Sequence, residues 1–297
     1  MNTAMTQTND SFAVFILSHG RADRVLTYDM LRRGSYTGRI YVVIDNEDAA
    51  CDAYRARYGA QVVVFDKPAV AEWTDTGDNF SQRDSVVFAR NACWQIAEQL
   101  NVEYFLVLDD DYRQITYRFT TDLRFTHERN VLDLDRLFAT ILEFYKSIPA
   151  ATIAMGQSGD YIGGAKGSVA KQVRIKRKAM NSFFCSVHRP FRFLGRINED
   201  TTTYCVLGNR GELFLTFFNT CIHQTRTQRA AGGLTPVYLR LGTYVKSFYS
   251  VMYTTAFVHV AALGVLHRRF HHAIDWINAV PCILDEKCLV SADLTNG

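Results

Sequence analysis

Apolar residues fall in short continuous runs, separated by polar turns and by longer segments of mixed character. FAVFILS (Phe12–Ser18), IYVVID (Ile40–Asp45), QVVVFD (Gln61–Asp66) and the apolar part of EYFLVLDDDY (Glu103–Tyr112) are of strand length and rich in β-branched and aromatic residues. Such runs predict strands buried on both faces. Between them, Ala22–Arg33 and Asp48–Gly59 read as helices, the second with Gly59 at the C-cap position. A polar loop, Asp75–Asp84, leads into a helix expected over Ser85–Leu100, and Leu132–Lys146 is amphipathic and helical in period. Strand and helix thus alternate, which predicts an open, largely parallel α/β sheet. Beyond Pro149 the strand-like runs shorten and glycine turns increase, predicting a mixed α+β half packed on the first. The expected organisation is a disordered tail over 1–11 and one domain over about 12–290, with halves of about 12–149 and 150–290.

Composition narrows the class. A chain of 297 residues with 48% hydrophobic and 21% charged residues can bury one substantial core, and no internal repeat or low-complexity tract interrupts it. The net charge of +3 neither demands nor excludes a nucleic-acid partner. The seven cysteines (Cys51, Cys93, Cys185, Cys205, Cys221, Cys282 and Cys288) form no CxxC pair and are odd in number. They read as reduced thiols of a cytoplasmic protein, forming neither a disulfide framework nor a zinc cluster. The N-terminal MNTAMTQTND lacks a signal-peptide core, and the longest apolar stretch, Phe257–Leu266, is too short to span a bilayer. The expectation is a soluble protein with no membrane partner, and nothing in the sequence implies a protein partner.

The chemistry concentrates where the fourth apolar run meets Asp109, Asp110 and Asp111. Open α/β sheets bind ligands beyond the carboxyl ends of their strands. Adjacent carboxylates there repel one another and need hydration, pairing or a cation. A hard divalent ion suits them, because it also neutralises a diphosphate. Alternation along an extended segment points Asp109 and Asp111 the same way, as metal ligands, with Asp110 facing away; Asp109 and Asp110 are also expected to meet the nucleotide sugar. The competing reading is a solvated turn of helix-capping aspartates; the three strand–helix units upstream favour the metal.

Other strand ends reach the same edge. Ser18, His19 and Arg21 follow the first strand, where a nucleoside rests in such a sheet, and Asp45 ends the second. Asp45 can accept hydrogen bonds from a ribose or base, or serve as a helix cap. Arg83, Arg90 and Asn91 precede the acidic strand. An arginine there pairs with phosphate or with the aspartates, although a surface arginine such as Arg83 is commonly only solvated.

Taken together, the motifs resemble the TET/JBP-associated glycosyltransferases, a GT-A-like family that includes the base J glucosyltransferase and bacteriophage enzymes acting on hydroxymethylated pyrimidines in DNA. The matching segments are FILSHGR (15–21), VVID (42–45), RNACWQIAEQLNVEYFLVLDDDY (90–112), GRINEDTTTYCVLGNRGELFLT (195–216), QTRTQRAAGGLTPVY (224–238), GTYVKSFYSVM (242–252) and RRFHHAIDW (268–276). Their order and number carry the resemblance, since no one of them is diagnostic. It implies a single GT-A-like domain with a Rossmann-type, mostly parallel sheet in the N-terminal half. It also implies a UDP-sugar donor, most simply UDP-glucose, a Mn²⁺ or Mg²⁺ ion at Asp109–Asp111, and DNA containing hydroxymethylated pyrimidines as acceptor.

The second half supplies the remaining chemistry. Asn198-Glu199-Asp200 lies in a polar turn before the strand-like TYCVLG. Sugar transfer needs a base to take the acceptor hydroxyl's proton, and a carboxylate across the donor from the metal does so in inverting enzymes of this architecture. Asp200 is the first candidate and Glu199 the second; the plainer alternative is an acidic turn paired with Arg196. The resemblance suggests that His271 or His272, read as lying at a helix start, completes the metal site or touches the diphosphate; a structural pair is the plainer reading. Gly163, Gly164 and the basic run containing Lys171, Arg174, Lys176, Arg177 and Lys178 suit a DNA backbone beside the site, and Lys246, near Gly232, Gly233 and Tyr244, suits either the diphosphate or DNA. A solvated charge run is the plainer reading of the basic segment. Three other functions compete: a GT-A enzyme with a non-nucleic-acid acceptor, a catalytically silent DNA-binding module, and a nucleotidyltransferase. The intact acidic triplet argues against the second, and the single glycine of SHGRADR against the third.

Overall fold

The computed structural model of the chain describes residues 11–167, 169, 179–225, 245–263, 269–279 and 283–288. Its first half is built from β1 (Phe12–Leu17), α1 (Leu26–Arg33), β2 (Arg39–Asp45), α2 (Cys51–Tyr58), β3 (Val62–Phe65), α3 (Lys67–Ala71), α4 (Val86–Gln99) and β4 (Tyr104–Asp109). β1 pairs in parallel with both β2 and β4, and β2 with β3, so the order across this part is β3-β2-β1-β4. The register sets Leu17 beside both Val43 and Asp109, so the strand ends share one edge.

Alternation divides the core. Val14, Ile16, Val42, Ile44, Leu106 and Leu108 face one side of the sheet, against Met30 and Leu31 of α1 and Tyr54 and Tyr58 of α2. Ala13, Phe15, Leu17, Val43, Phe105 and Val107 face the other, against Val87, Phe88, Ala92, Cys93 and Ile96 of α4. Because both faces are covered, the strands read as continuous apolar runs rather than alternating ones.

The run Glu103–Tyr112 is not one strand: it turns at Asp110 and Asp111, and β5 (Tyr112–Phe119) begins at once. β6 (Phe125–Asn130), α5 (Leu134–Ser147), β7 (Thr152–Gln157), β8 (Ser182–Ser186), α6 (Glu199–Asn209), β9 (Phe214–Gln224), α7 (Lys246–Tyr253), β10 (Val258–Leu263), β11 (Arg269–Ile274) and α8 (Trp276–Ala279) follow. The second half does not pack as a separate layer. β8, β7 and β9 enter the same nine-stranded sheet between β4 and the β5–β6 hairpin, giving β3-β2-β1-β4-β8-β7-β9-β5-β6. The first-half hairpin is therefore carried to the far edge, and β10 and β11 pair antiparallel in a small second sheet. The fold is α/β, parallel across β3-β2-β1-β4 and mixed beyond.

Two local expectations are corrected. TYCVLG continues a helix, α6, although its threonine, tyrosine and valine favour strands; burial of most residues of α6, among them Thr201 to Val206, overrides propensity. His271 and His272 lie in β11, not at a helix start. No helix among the described residues is long and apolar enough to cross a membrane, and Cys51, Cys93, Cys185, Cys205, Cys221 and Cys288 are free.

Candidate active site at the strand ends

The turn at Asp110–Asp111 is fixed from three sides. Thr27 in the first turn of α1 donates through Oγ1 to the Asp109 carbonyl at 2.6 Å and accepts from the Tyr112 N–H at 3.0 Å, while its own N–H reaches the Asp110 carbonyl at 3.2 Å. Beyond β9, Thr225 donates its N–H to the Asp111 carbonyl at 3.1 Å and its hydroxyl to the Asp111 carboxylate at 3.0 Å.

The three carboxylates have different surroundings. Asp110 is buried and points back to the end of β1, accepting from Ser18 Oγ at 2.6 Å and Arg21 Nη1 at 2.9 Å. Burial pushes its carboxyl up, against the pull of the Arg21 charge. Asp109 stands partly open, with Arg90 Nη2 at 3.3 Å and the Tyr112 hydroxyl at 3.3 Å. Asp111 is pushed up to about 6, by burial first and then by the Asp109 charge, against the Thr225 bond.

Beside them, β2 ends in a second charged group. Gly20, at φ +66, turns the chain so that its N–H reaches Asp48 at 2.8 Å. His19 Nδ1 lies 2.8 Å from Asp45, and Lys67 Nζ 3.2 Å from the same oxygen. Burial opposes ionisation of Asp45, but the His19 hydrogen bond and the Lys67 charge hold its carboxyl below the usual range. The Asp45 bond in turn raises His19. Tyr54 braces the segment after β1, its hydroxyl sharing a 2.7 Å bond with Ser18 and accepting from the Arg21 N–H at 2.9 Å.

The third part is the start of α6. Asn198 takes the left-handed conformation at φ +58 just before Glu199 and Asp200 open the helix, where carboxylates suit the helix dipole. Both are buried. Arg90 Nη1 lies 2.7 Å from Glu199 Oε1, so one guanidinium reaches both α6 and the acidic turn. Burial pushes Glu199 up to about 7, with Arg90 opposing and Asp200 and Asp109 adding to the rise. Asp200 Oδ1 accepts the Thr201 N–H at 2.6 Å. His272 Nδ1 lies 3.2 Å from Asn198 Nδ2, one residue before Glu199.

The structure thus gathers Ser18, Arg21, Asp109, Asp110 and Asp111 with Arg90, Glu199 and Asp200, and places His19 and Asp45 alongside. Arg83 is held instead by Glu47, beyond the end of β2. Arg196 pairs with Asp78 at 2.7 Å, not with the acids that follow it, and with Tyr249 pins the loop at 75–84. His271 stacks on His272 at 4.3 Å. Gly163, at φ +92, and Gly164 form a turn whose short helix, Gly164–Lys166, packs by β6. Lys246 opens α7. Lys171, Arg174, Lys176, Arg177, Lys178, Gly232, Gly233 and Tyr244 lie outside the described residues.

Motif and periodicity do not single out Thr27, Tyr54, Thr225 or Lys67. Lys67 alone carries a signal: a cation in the first turn of a helix opposes the dipole, which marks a lysine held by a carboxylate.

Among the described residues no three His, Cys, Asp or Glu side chains converge on one ion. The acidic turn still fits a divalent cation of the kind held by one or two carboxylates plus substrate phosphates. Asp109 and Asp111 are hard oxygen donors, and the mutual repulsion that raises Asp111 is what a cation relieves. Five carboxylates (Asp109, Asp110, Asp111, Glu199 and Asp200) face two guanidinium groups, Arg21 and Arg90.

The sequence family described as TET-Associated Glycosyltransferase matches residues 12–233. Among solved structures, the crystal structure of mannose-1-phosphate geranyltransferase from Thermus thermophilus is similar at 14% identity and a TM-score of 0.28. That match covers 50% of this chain, which spans 41% of the other. No curated protein matches the chain.

Proposed function

The chain belongs to the TET-associated glycosyltransferase family, and on that premise we propose that it moves a sugar, most simply glucose, from a UDP-sugar to the hydroxymethyl group of a 5-hydroxymethylpyrimidine in DNA. The observation that carries this reading is the acidic turn at the end of β4, with Asp109 and Asp111 left to a cation and Glu199 and Asp200 beyond Arg90. The family's name supports the glycosyl chemistry, and bacteriophage DNA hypermodification is the setting that it suits.

In this reading the nucleoside lies over the ends of β1 and β2, where His19 and Asp45 offer hydrogen bonds to ribose or base. Asp109 and Asp111 hold Mn²⁺ or Mg²⁺, with His272 the nearer histidine to the start of α6. The bound ion would neutralise the charge of the leaving diphosphate, so no protonated acid is required. The acceptor hydroxyl attacks the anomeric carbon from the opposite face, inverting it. Its proton passes to Asp200 or Glu199, and the electron pair of the breaking bond leaves with UDP. Gly163, Gly164, Lys171, Arg174, Lys176, Arg177, Lys178 and Lys246 contact the DNA backbone, and Arg83 borders the nucleotide.

The test is turnover with DNA containing hydroxymethylcytosine or hydroxymethyluracil, a panel of UDP-sugars and Mn²⁺ or Mg²⁺, with nucleosides weighed by mass spectrometry after digestion. A sugar mass gained on the modified base and lost in Asp111→Ala supports the reading. Metal-dependent UDP-sugar hydrolysis without transfer removes the DNA acceptor, and neither activity from a folded protein removes the whole proposal.

A further inference from the structure

We propose that Arg90 is a positioning residue that couples the two halves of the site: one guanidinium is shared between Asp109, on the diphosphate side, and Glu199, on the acceptor side, so that each carboxylate responds to the other. The inference rests on the reading of the acidic turn as a cation and diphosphate site.

α4 precedes β4 and starts at the carboxyl edge of the sheet, so its fifth residue, Arg90, comes up beneath the turn. The side chain is 3% exposed and lies against the rings of Phe183 at 5.1 Å and Phe193 at 5.5 Å. Such enclosure leaves no open face toward a donor phosphate; Arg90 acts through the groups it touches. A buried arginine persists only where carboxylates compensate it. Here Nη1 approaches Glu199 at 2.7 Å and Nη2 approaches Asp109 at 3.3 Å. Neither contact is the bidentate fork that guanidinium and carboxylate prefer. Among the described residues, Nε and Nη1 have no directed hydrogen-bond acceptor despite the short approach of Glu199, as a group divided between two partners would show.

Sharing has a consequence. With a cation bound, Asp109 would be less available to Arg90, and the guanidinium would be left to Glu199, favouring its ionised, proton-accepting form. The charged groups facing Glu199 are Arg90 from α4, Asp109 from β4 and Asp200 from its own helix, and burial otherwise disfavours its charge. Coupling of this kind is reciprocal: whatever the cation does for Glu199, Glu199 does for cation affinity.

The test is a double-mutant cycle read by calorimetric Mn²⁺ binding to the full chain in the presence of UDP, without turnover. Glu199→Gln in the wild-type background gives Arg90 wholly to Asp109 and weakens Mn²⁺ binding about fivefold. In an Arg90→Met background the same change moves the affinity less than about twofold, because the shared group is gone. The double variant leaves no Arg90–Glu199 charge unpaired and folds even if Arg90→Met alone does not. In that event Arg90→Lys, which keeps the charge but not the fork, supplies the second background and shows a reduced effect. An equal effect of Glu199→Gln in both backgrounds overturns this inference and leaves the proposed function standing. Failure of the wild type to bind Mn²⁺ overturns both. In steady state Arg90→Lys lowers kcat with donor KM unchanged; a raised donor KM at unchanged kcat would make Arg90 a donor ligand and overturn the positioning role.

Discussion

Replacing Asp111 with asparagine should stabilise the cation-free protein while removing its response to metal. The carboxyl ordinarily titrates near 3.8 and is pushed up to about 6 in the fold, by burial first and then by Asp109. For an acid raised in this way, stability is fully present below the unfolded value and is lost as pH rises through the folded one. The difference corresponds to about 3 kcal/mol of destabilisation at pH 8 and about half that at pH 5. The asparagine amide would keep an oxygen for the Thr225 hydroxyl, which now lies 3.0 Å from the Asp111 carboxylate, and would carry no charge to bury. Urea unfolding in the presence of a chelator, from pH 5 to pH 8, should therefore show the variant ahead by about 3 kcal/mol at pH 8, with the margin narrowing toward pH 5. In thermal melts the gain is about 6 °C for a domain of this size. Mn²⁺ with UDP should raise the wild-type Tm and leave the variant unmoved. A variant no more stable than wild type at pH 8, or a margin independent of pH, would refute the reasoning.

Other outcomes follow from the same geometry. Thr27→Val removes one hydroxyl that serves both the Asp109 carbonyl and the Tyr112 N–H, costing about 1–3 kcal/mol by chemical denaturation and weakening Mn²⁺ binding with no change of charge. Arg196→Met takes the only guanidinium from Asp78 among the described residues, leaving it the Tyr249 hydroxyl and the Phe80 N–H, and costs about 3 kcal/mol, read by urea unfolding. With Glu199 as proton acceptor, kcat climbs with pH, with its midpoint below the cation-free value of about 7, and Glu199→Gln abolishes the climb; a climb kept there and lost in Asp200→Asn assigns the role to Asp200. Replacing Lys171, Arg174 and Lys176 with alanine weakens DNA binding and flattens the slope of log K against log salt by about 0.9 for each phosphate no longer neutralised, measured by fluorescence anisotropy.

How far the sequence reveals the fold follows from the range of the forces involved. The parallel strands are legible because burial on both faces writes an apolar run into the chain itself, as in Phe12–Leu17. The chain break at Asp110 is harder to see, because Tyr112 continues the apolar pattern on the far side of the turn. α6 departs from the strand that its β-branched residues predict, since their weak preference yields to burial against the rest of the fold. The pairings that define the site join residues far apart in the chain: Ser18 with Asp110, Arg90 with Glu199, Thr225 with Asp111. No local periodicity encodes them.

Nor does alternation along a strand explain how the acidic triplet divides its work, since the chain is turning at Asp110 and Asp111. The division comes from partners. Asp110 is engaged by Ser18 and Arg21 and ties the end of β1 to the end of β4, which fixes where its neighbours stand. Asp109 gives part of its charge to Arg90, and Asp111 has a hydroxyl and a backbone contact but, among the described residues, no cation of its own as a hydrogen-bond partner. Three identical side chains thus become a tether, a shared charge and an uncompensated one. Burial raises the tether Asp110 as well, but the uncompensated Asp111, pushed up to about 6, has no arginine bonded to it among the described residues, and that is where a diphosphate-bound cation would arrive.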